Sequence, residues 1–99
     1  KRVFYIYNSA DLPRGQHAHY ETKQYLIALN GSCKVTLDNG NEKETFLLND
    51  KNKGLFQDKL IWGTMHDFSE DCILLVLAND IYKADDYITT YEKFLEVVK

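Results

Sequence analysis

The chain of 99 residues is long enough for one domain with a single modest core and too short for two. Apolar residues make up 44% and charged residues 27%, a balance that is typical of globular proteins and excludes a disordered chain. The net charge of −3 gives no basis for binding nucleic acid through its phosphates. Because no apolar run approaches the roughly 20 residues of a membrane helix, we expect neither a nucleic-acid nor a membrane partner.

Both cysteines, Cys33 and Cys72, fall inside apolar segments that are typical of strands. Two buried free thiols are a better explanation than a disulfide, because a reduced cysteine behaves as a small apolar side chain and suits apolar surroundings. We therefore expect a cytoplasmic protein.

Seven or eight short strands are predicted, because β-branched and aromatic residues recur between turn signals. They lie at 2–8, at 17–21, three times within 24–50, and at 52–56, 60–68 and 72–80. A loop with the only proline is predicted at 9–16, and turns are predicted at Asn30-Gly31 and Asn39-Gly40. The second dipeptide suits the type I′ turn of a two-residue hairpin. Strands at such short spacing indicate a sandwich or a small barrel.

The period changes near the end of the chain. From Ala84 to Val98 the apolar residues fall three and four apart, which places them on one stripe of a helix. Asp85 or Asp86 is expected to cap its first turn. We expect this helix to cover the sheet or to pack on a partner subunit.

The segment RGQHAHYETKQ, at 14–24, contains the residues best suited to chemistry. Residues two apart on an extended strand project to the same face, so His17 and His19 are expected to aim at one spot. Such a pair can hold a metal or place two imidazoles around one substrate atom. Two exposed strand histidines would have the same spacing. The histidines alone leave these alternatives open.

The spacing His17-x-His19-x4-Gln24-x6-Gly31 resembles the first motif of the cupins. Cupins usually have a carboxylate ligand where Gln24 stands, and a third histidine where this chain has Gly63. An amide is a poor metal ligand compared with carboxylate or imidazole. We therefore expect no metal and no other cofactor.

Over essentially its whole length the chain resembles the WxcM-like cupins that are sugar-nucleotide 3,4-ketoisomerases. The stretches that carry this resemblance are RVFYIYN, PRGQHAH, KQYLIALNGSCKVTLDNG, GLF, MHDFSEDCILLVLAND and YITTYEKFL. The resemblance implies an all-β jelly-roll β-sandwich with a short C-terminal α-helix, a homodimer with exchanged N-terminal strands, and catalysis without a metal. It also implies an isomerase of deoxysugar biosynthesis for surface polysaccharide, which moves the ketone of dTDP-4-keto-6-deoxyglucose from C4 to C3.

The resemblance also implies which residues act on the sugar. His17 and His19 would be an acid/base pair that moves a proton through an enediol, with His19 the more important of the two. Gln24 would orient a histidine or a sugar hydroxyl. His66 is expected to be a structural residue.

Other residues would bind the rest of the substrate. Its diphosphate requires a cationic donor, for which Arg14 is the first candidate and Arg2 the second. Trp62 and Tyr5 are candidates for stacking on the base or lining the sugar pocket. The alternative role for both side chains is packing in the core.

Departures from the family pattern leave three alternatives to the isomerase. Gly63 in place of histidine, and 58–60 in place of the usual proline-rich turn, would suit a non-catalytic domain that binds a nucleotide sugar. A metal-dependent cupin and a deoxysugar epimerase are the other two. Family members also carry strands before the segment RVFYIYN. We therefore expect residues 1–99 to be a single cupin domain that lacks its N-terminal strands and exposes a sheet edge to another copy.

Overall fold

The structure, a computed structural model, describes residues 1–7 and 12–99. Within these residues, nine strands form two antiparallel sheets, and one short helix follows them. The elements are β1 Arg2–Tyr7, β2 Arg14–His19, β3 Gln24–Asn30, β4 Cys33–Asp38, β5 Lys43–Leu48, β6 Leu55–Gln57, β7 Trp62–His66, β8 Ile73–Ala78, β9 Tyr87–Ile88 and α1 Tyr91–Val98. The predicted all-β sandwich with a short C-terminal α-helix is confirmed. No helix among the described residues is long and apolar enough to cross a membrane.

The core lies between the two sheets. The first sheet has the strand order β1-β8-β3-β6, and the second has the order β5-β4-β7-β2-β9. Side chains alternate between the two faces of a strand, so every second residue can point inward. Leu26 and Val76 of the first sheet meet Val35 and Met65 of the second in one apolar cluster. Each fully buried side chain of this size stabilises the fold by roughly 1.5–3 kcal/mol.

The hairpin between β4 and β5 does not have a two-residue type I′ turn, so that prediction is wrong. Asp38 pairs with Lys43, so residues 39–42 form a longer loop in which Gly40 alone has a positive φ, 97°. The Asp38 carboxylate accepts a hydrogen bond from the Gly40 N–H, and the Asn39 side chain accepts from two N–H groups further along. These side-chain bonds to the backbone stabilise a wider loop than the dipeptide alone indicates.

Strand β2 begins at Arg14, whereas the sequence predicts a loop over 9–16; residues 9–11 of that loop, and residue 8 at the end of the predicted first strand, lie outside the described residues. A β-bulge explains the difference. Gly15 and Gln16 have φ values of 85° and 55°, and the pairing with β7 shifts between Gly15 and His17. Because a bulge adds one residue to one strand only, Arg14 and His17 point to the same side although they are three apart.

The predicted helix from Ala84 is wrong in its first half. Ala84–Asp86 forms a 3-10 turn, Tyr87–Ile88 pairs with β2 as the short strand β9, and α1 begins only at Tyr91. The cap of α1 is Thr90, whose hydroxyl accepts a hydrogen bond from the Lys93 N–H at 3.2 Å. The apolar spacing of this segment fits a helix, but pairing with β2 satisfies its backbone groups instead.

Asp86, which the sequence suggests as a cap, has a different role. Its buried carboxylate accepts hydrogen bonds from the N–H groups of Glu21 and Thr22 at 2.9 and 3.2 Å. These bonds join the turn before β9 to the residues that follow β2. The prediction that the helix covers the sheet is confirmed, since Phe94 of α1 is fully buried against Ala18 and Ile88.

Candidate active site

The two histidines of β2 share the inner face of the second sheet. The centroids of the His17 and His19 rings lie 4.9 Å apart in an edge-to-face arrangement. Ala18 between them points the other way and packs under α1 with Ile88 and Phe94. The predicted shared face is therefore confirmed.

A cavity of about 330 Å³ opens beside His17 between the two sheets. This volume falls within the range of small-molecule sites. The polar side chains of the lining come from several strands and the segment after β8: Arg2, Tyr5, Arg14, His17, Gln24, Tyr82 and Tyr87. The structure thus brings together five residues that the sequence analysis selects, namely the two arginines, His17, Gln24 and Tyr5. Gln24 is 4% exposed and reaches the cavity from the opposite sheet.

A larger depression of about 520 Å³ lies beside the β4–β5 hairpin. Its lining includes the carboxylates of Asp38, Glu42, Glu44 and Asp58 and a single lysine, Lys43. Such a surface would repel a diphosphate, since like charges disfavour each other. We therefore assign the site to the smaller cavity, which has two arginines.

Trp62 and Tyr5 each border a depression that His17 also lines. Strand β7 alternates, so that Met65 faces the core while the Trp62 ring packs on the helix side, 5.8 Å from the ring of Phe94. Tyr5 borders the cavity, but it alternates with the core residue Ile6 and its side chain is 55% exposed on the outer face of the first sheet. Their proposed contacts with the substrate stay predictions.

His66 lies on the same outer side of β7 as Trp62. Its Nε2 atom is 2.8 Å from the Thr36 hydroxyl, and its Nδ1 atom is 3.5 Å from the Asp67 carboxylate. These contacts suit the structural role that the sequence indicates.

His17 has the properties of a neutral base. Burial is the largest influence and lowers its pKa below the usual value, so the ring is uncharged near pH 7. One ring N–H donates a hydrogen bond to the backbone carbonyl of Gly15. The other ring nitrogen then has a lone pair that can accept a proton.

His19 lies deeper, with 3% of its surface exposed. Its pKa is lowered to about 4, because burial and, to a smaller extent, the neighbouring His17 lower it more than the Asp86 carboxylate raises it. Across residues 1–7 and 12–99, the buried side-chain nitrogens without a hydrogen-bond partner are His19 Nε2 and Arg2 Nε. Buried polar groups are nearly always bonded, so these two atoms are available to a bound ligand.

Tyr87 is the site residue that sequence reasoning missed. Its ring centroid lies 5.0 Å from that of His17 and 4.5 Å from that of His19. Its hydroxyl oxygen accepts a hydrogen bond of 2.9 Å from Arg2 Nη2. The guanidinium of Arg2 is oriented in turn by the rings of Phe4 and Tyr82, whose centroids lie 4.8 and 5.4 Å from it. The local signal placed Tyr87 on a helical stripe, and only the pairing of β9 with β2 brings it here.

The lowered pKa of His19 predicts a loss of stability in mild acid. The unfolded chain takes up the proton near pH 6.5, whereas the folded chain takes it up near pH 4. The stabilisation is therefore complete above about pH 6.5 and falls as the pH drops toward 4. We expect the free energy of unfolding to fall by about 2 kcal/mol from pH 7 to pH 5 through this residue alone.

Urea denaturation at a series of pH values measures this loss, with His19→Asn as the matched variant. The variant should lose much less stability over the same pH range, because it has no imidazole at this position. An equal slope in the two proteins would contradict the assignment of the loss to His19.

A sandwich of two antiparallel sheets with paired imidazoles beside an inner cavity is typical of cupin-like enzymes. The chain belongs to the family described as FdtA: WxcM-like, C-terminal, whose model matches residues 1–99. The resemblance predicted from the sequence is confirmed. Among the described residues, no group of three or more His, Cys, Asp and Glu side chains is placed to hold a metal ion.

Relatives with the same fold have named activities. The TDP-4-oxo-6-deoxy-alpha-D-glucose-3,4-oxoisomerase of Aneurinibacillus thermoaerophilus is 44% identical, and the match covers 99% of this chain and 71% of the relative. The structure of WlaRA, the TDP-fucose-3,4-ketoisomerase of Campylobacter jejuni, is 48% identical with a TM-score of 0.96, covering 100% of this chain and 74% of that one. A His-to-Asn variant of the 3,4-ketoisomerase QdtA from Thermoanaerobacterium thermosaccharolyticum, in complex with TDP-4-keto-6-deoxyglucose, is 41% identical with a TM-score of 0.96, covering 99% and 72%.

Proposed function

We propose that this chain is a sugar-nucleotide 3,4-ketoisomerase that moves the ketone of TDP-4-keto-6-deoxyglucose from C4 to C3, a step of deoxysugar biosynthesis. The observation that carries this proposal is the cavity in which His17 and Tyr87 meet two arginines, with the ring of His19 packed against the rings of His17 and Tyr87. The activities named for relatives that are 41–48% identical support the same reaction.

The reaction needs two proton transfers to carbon, for which a neutral imidazole is suited. His17 removes the proton from C3, the C3–H electrons form a C3–C4 double bond, and the C4 carbonyl oxygen takes up a proton from water to give the enediol. The C3 hydroxyl then returns one proton to water, its oxygen becomes the new ketone, and C4 receives the proton held by the His17 imidazolium. Because burial keeps the pKa of His17 low, the imidazolium gives up its proton readily.

The remaining residues have supporting roles in this proposal. The Tyr87 hydroxyl, oriented by Arg2, can donate to the C4 oxygen as charge develops there. Arg14 lines the same cavity and offers a planar fork for two phosphate oxygens. Gln24 can bond a sugar hydroxyl from the opposite sheet. Arg2 stays a second candidate for the diphosphate, although its bond to Tyr87 favours the orienting role.

Proton NMR of TDP-4-keto-6-deoxyglucose with the protein in heavy water tests the proposal. Loss of the C3 proton signal together with a new 3-keto product is the expected result. Binding of the sugar nucleotide without exchange at C3 would reject the isomerase and support the non-catalytic domain that Gly63 leaves open. Exchange at C3 without a new ketone would mean that protonation at C4 fails.

We infer further that the protein is a homodimer through the first sheet. Strand β1 is an edge of this sheet, and its outer face exposes Val3, Tyr5 and Tyr7 beside Leu77 of β8. An apolar face on the edge strand of a sheet is typical of a surface that another copy covers. Light scattering after gel filtration should give a dimer, and Tyr5→Asp should give a monomer; an unchanged mass for the variant would reject this face.

We also place the enzyme in the cytoplasm. Cys33 and Cys72 are both free and buried, which suits a reducing compartment. Burial raises the pKa of the Cys33 thiol to about 12, so this thiol stays protonated and unreactive.

A further inference from the structure

Gly63 lies directly opposite His17 in the pairing of β2 with β7. A side chain at this position would point to the same face as the imidazole, with its Cβ about 5 Å from that of His17. The space is occupied from the other sheet. A Cβ atom on Gly63 would lie 2.6 Å from Gln57 Nε2 and 2.9 Å from its Cδ and Oε1, well inside the 3.5–4.0 Å of an ordinary contact.

Gln57 is a buried amide, 5% exposed, at the end of β6. Its Nε2 donates a hydrogen bond of 3.1 Å to the carbonyl of Ile61, in the loop that leads into β7. In the same loop, the N–H of Leu60 donates a 2.8 Å hydrogen bond to the backbone carbonyl of His19. Gln57 is therefore hydrogen-bonded to a loop that is itself hydrogen-bonded to β2, the strand of the histidines.

Gln57 is also the cross-strand partner of Gln24, which lines the cavity. One amide is thus adjacent to a cavity residue of the first sheet, to the position opposite His17, and to the loop bonded to His19. Gln57 does not line the cavity itself, so it would act on the substrate only through these neighbours. A side chain in this place has the properties of a positioning residue.

We propose that Gln57 is a positioning residue for the histidine pair. Its carboxamide fills the space that a side chain at position 63 would take, and it keeps the inner face of β2, with His17, in place beside the cavity. The proposal deepens the proposed function and rests on it. It also explains why position 63 is glycine, since any Cβ there would displace the amide.

A double-mutant cycle of Gln57→Ala and Gly63→Ala tests the inference. Each single variant should lower kcat for TDP-4-keto-6-deoxyglucose by about 10- to 100-fold, because it disturbs the placement of His17. KM should change by less than about 2-fold, because the arginines are untouched. In the Gln57→Ala background, the additional Gly63→Ala change should have less than about a 2-fold effect, since no amide is left to displace. Asn41→Ala, which removes an exposed amide, should leave kcat unchanged.

Titration of the histidine rings by NMR gives a second readout that needs no activity. Loss of the Gln57 amide should let water reach His17 and raise its pKa toward the usual value, because burial is the largest influence that lowers it. If Gln57→Ala does not fold, Gly63→Ala displaces the amide without removing it, and the same shift is expected. A wild-type protein that is inactive on this sugar would reject the proposed function. The role of Gln57 is overturned if the fold-losses in kcat of the two single variants multiply in the double variant. It is also overturned if the pKa of His17 is the same in the variants as in the wild type.

Discussion

His17→Asn is expected to lower kcat for the isomerisation of TDP-4-keto-6-deoxyglucose by about 10²–10⁴-fold, the contribution of a general acid/base group. His17 faces the cavity, is neutral near pH 7 because burial lowers its pKa, and bonds the Gly15 carbonyl so that one ring nitrogen can accept a proton. Asparagine keeps a hydrogen-bonding side chain of smaller size but cannot take up the proton. Proton NMR in heavy water should then detect neither loss of the C3 proton nor a new ketone.

His19→Asn is the matched comparison, because the resemblance ranks His19 above His17 whereas the cavity lining includes His17. Both variants should still bind TDP, which calorimetry can measure, since the arginines remain. If His19→Asn is inactive and His17→Asn retains most of its activity, the ranking from the resemblance holds. The base in our scheme would then have to be reassigned to His19.

Gly15→Ala is expected to reduce both stability and activity. Gly15 has a φ of 85°, a region that disfavours a side chain by roughly 1–2 kcal/mol. Its new Cβ would also lie 3.0 Å from Met65 Cε and 3.1 Å from the Gly63 carbonyl oxygen. If the bulge relaxes, Arg14 and His17 no longer share the inner face, and kcat/KM should fall by about 100-fold. Thermal unfolding and steady-state kinetics measure the two effects.

Gln16→Gly provides the control within the same bulge. Gln16 is exposed and has a φ of 55°, so glycine removes backbone strain while keeping the bulge. Its stability should stay within about 1 kcal/mol of wild type or rise, with kcat/KM unchanged. Wild-type stability and activity in Gly15→Ala would mean that the bulge does not set the orientation of Arg14.

Several features follow from the sequence by itself because their causes are local. The alternation of apolar residues predicts the sandwich, since period two dictates which side chains can be buried. The same period places His17 and His19 on one face, and the ring distance confirms it. The family resemblance, carried by short stretches in order along the chain, is confirmed by the match over residues 1–99.

Other features depended on contacts between distant parts of the chain. The apolar spacing from Ala84 fits a helix, yet Tyr87 becomes part of a strand because β2 offers a pairing partner and Asp86 bonds the residues after β2. Tyr87 therefore could not be predicted as a site residue from the local sequence pattern. In the same way, the pairing with β7 shifts at a bulge, which turns Arg14 toward the histidines.

Gln57 illustrates the limit most clearly. The sequence shows that position 63 is glycine and not histidine. It does not show which residue occupies the space that a histidine side chain there would take. Gln57 reaches that space from the opposite sheet, where only the packing of the two layers can place it. Local sequence patterns determined the strands and the imidazole pair. Tertiary pairing decided which tyrosine, arginine and amide surround them, because each of those contacts joins segments that are distant along the chain.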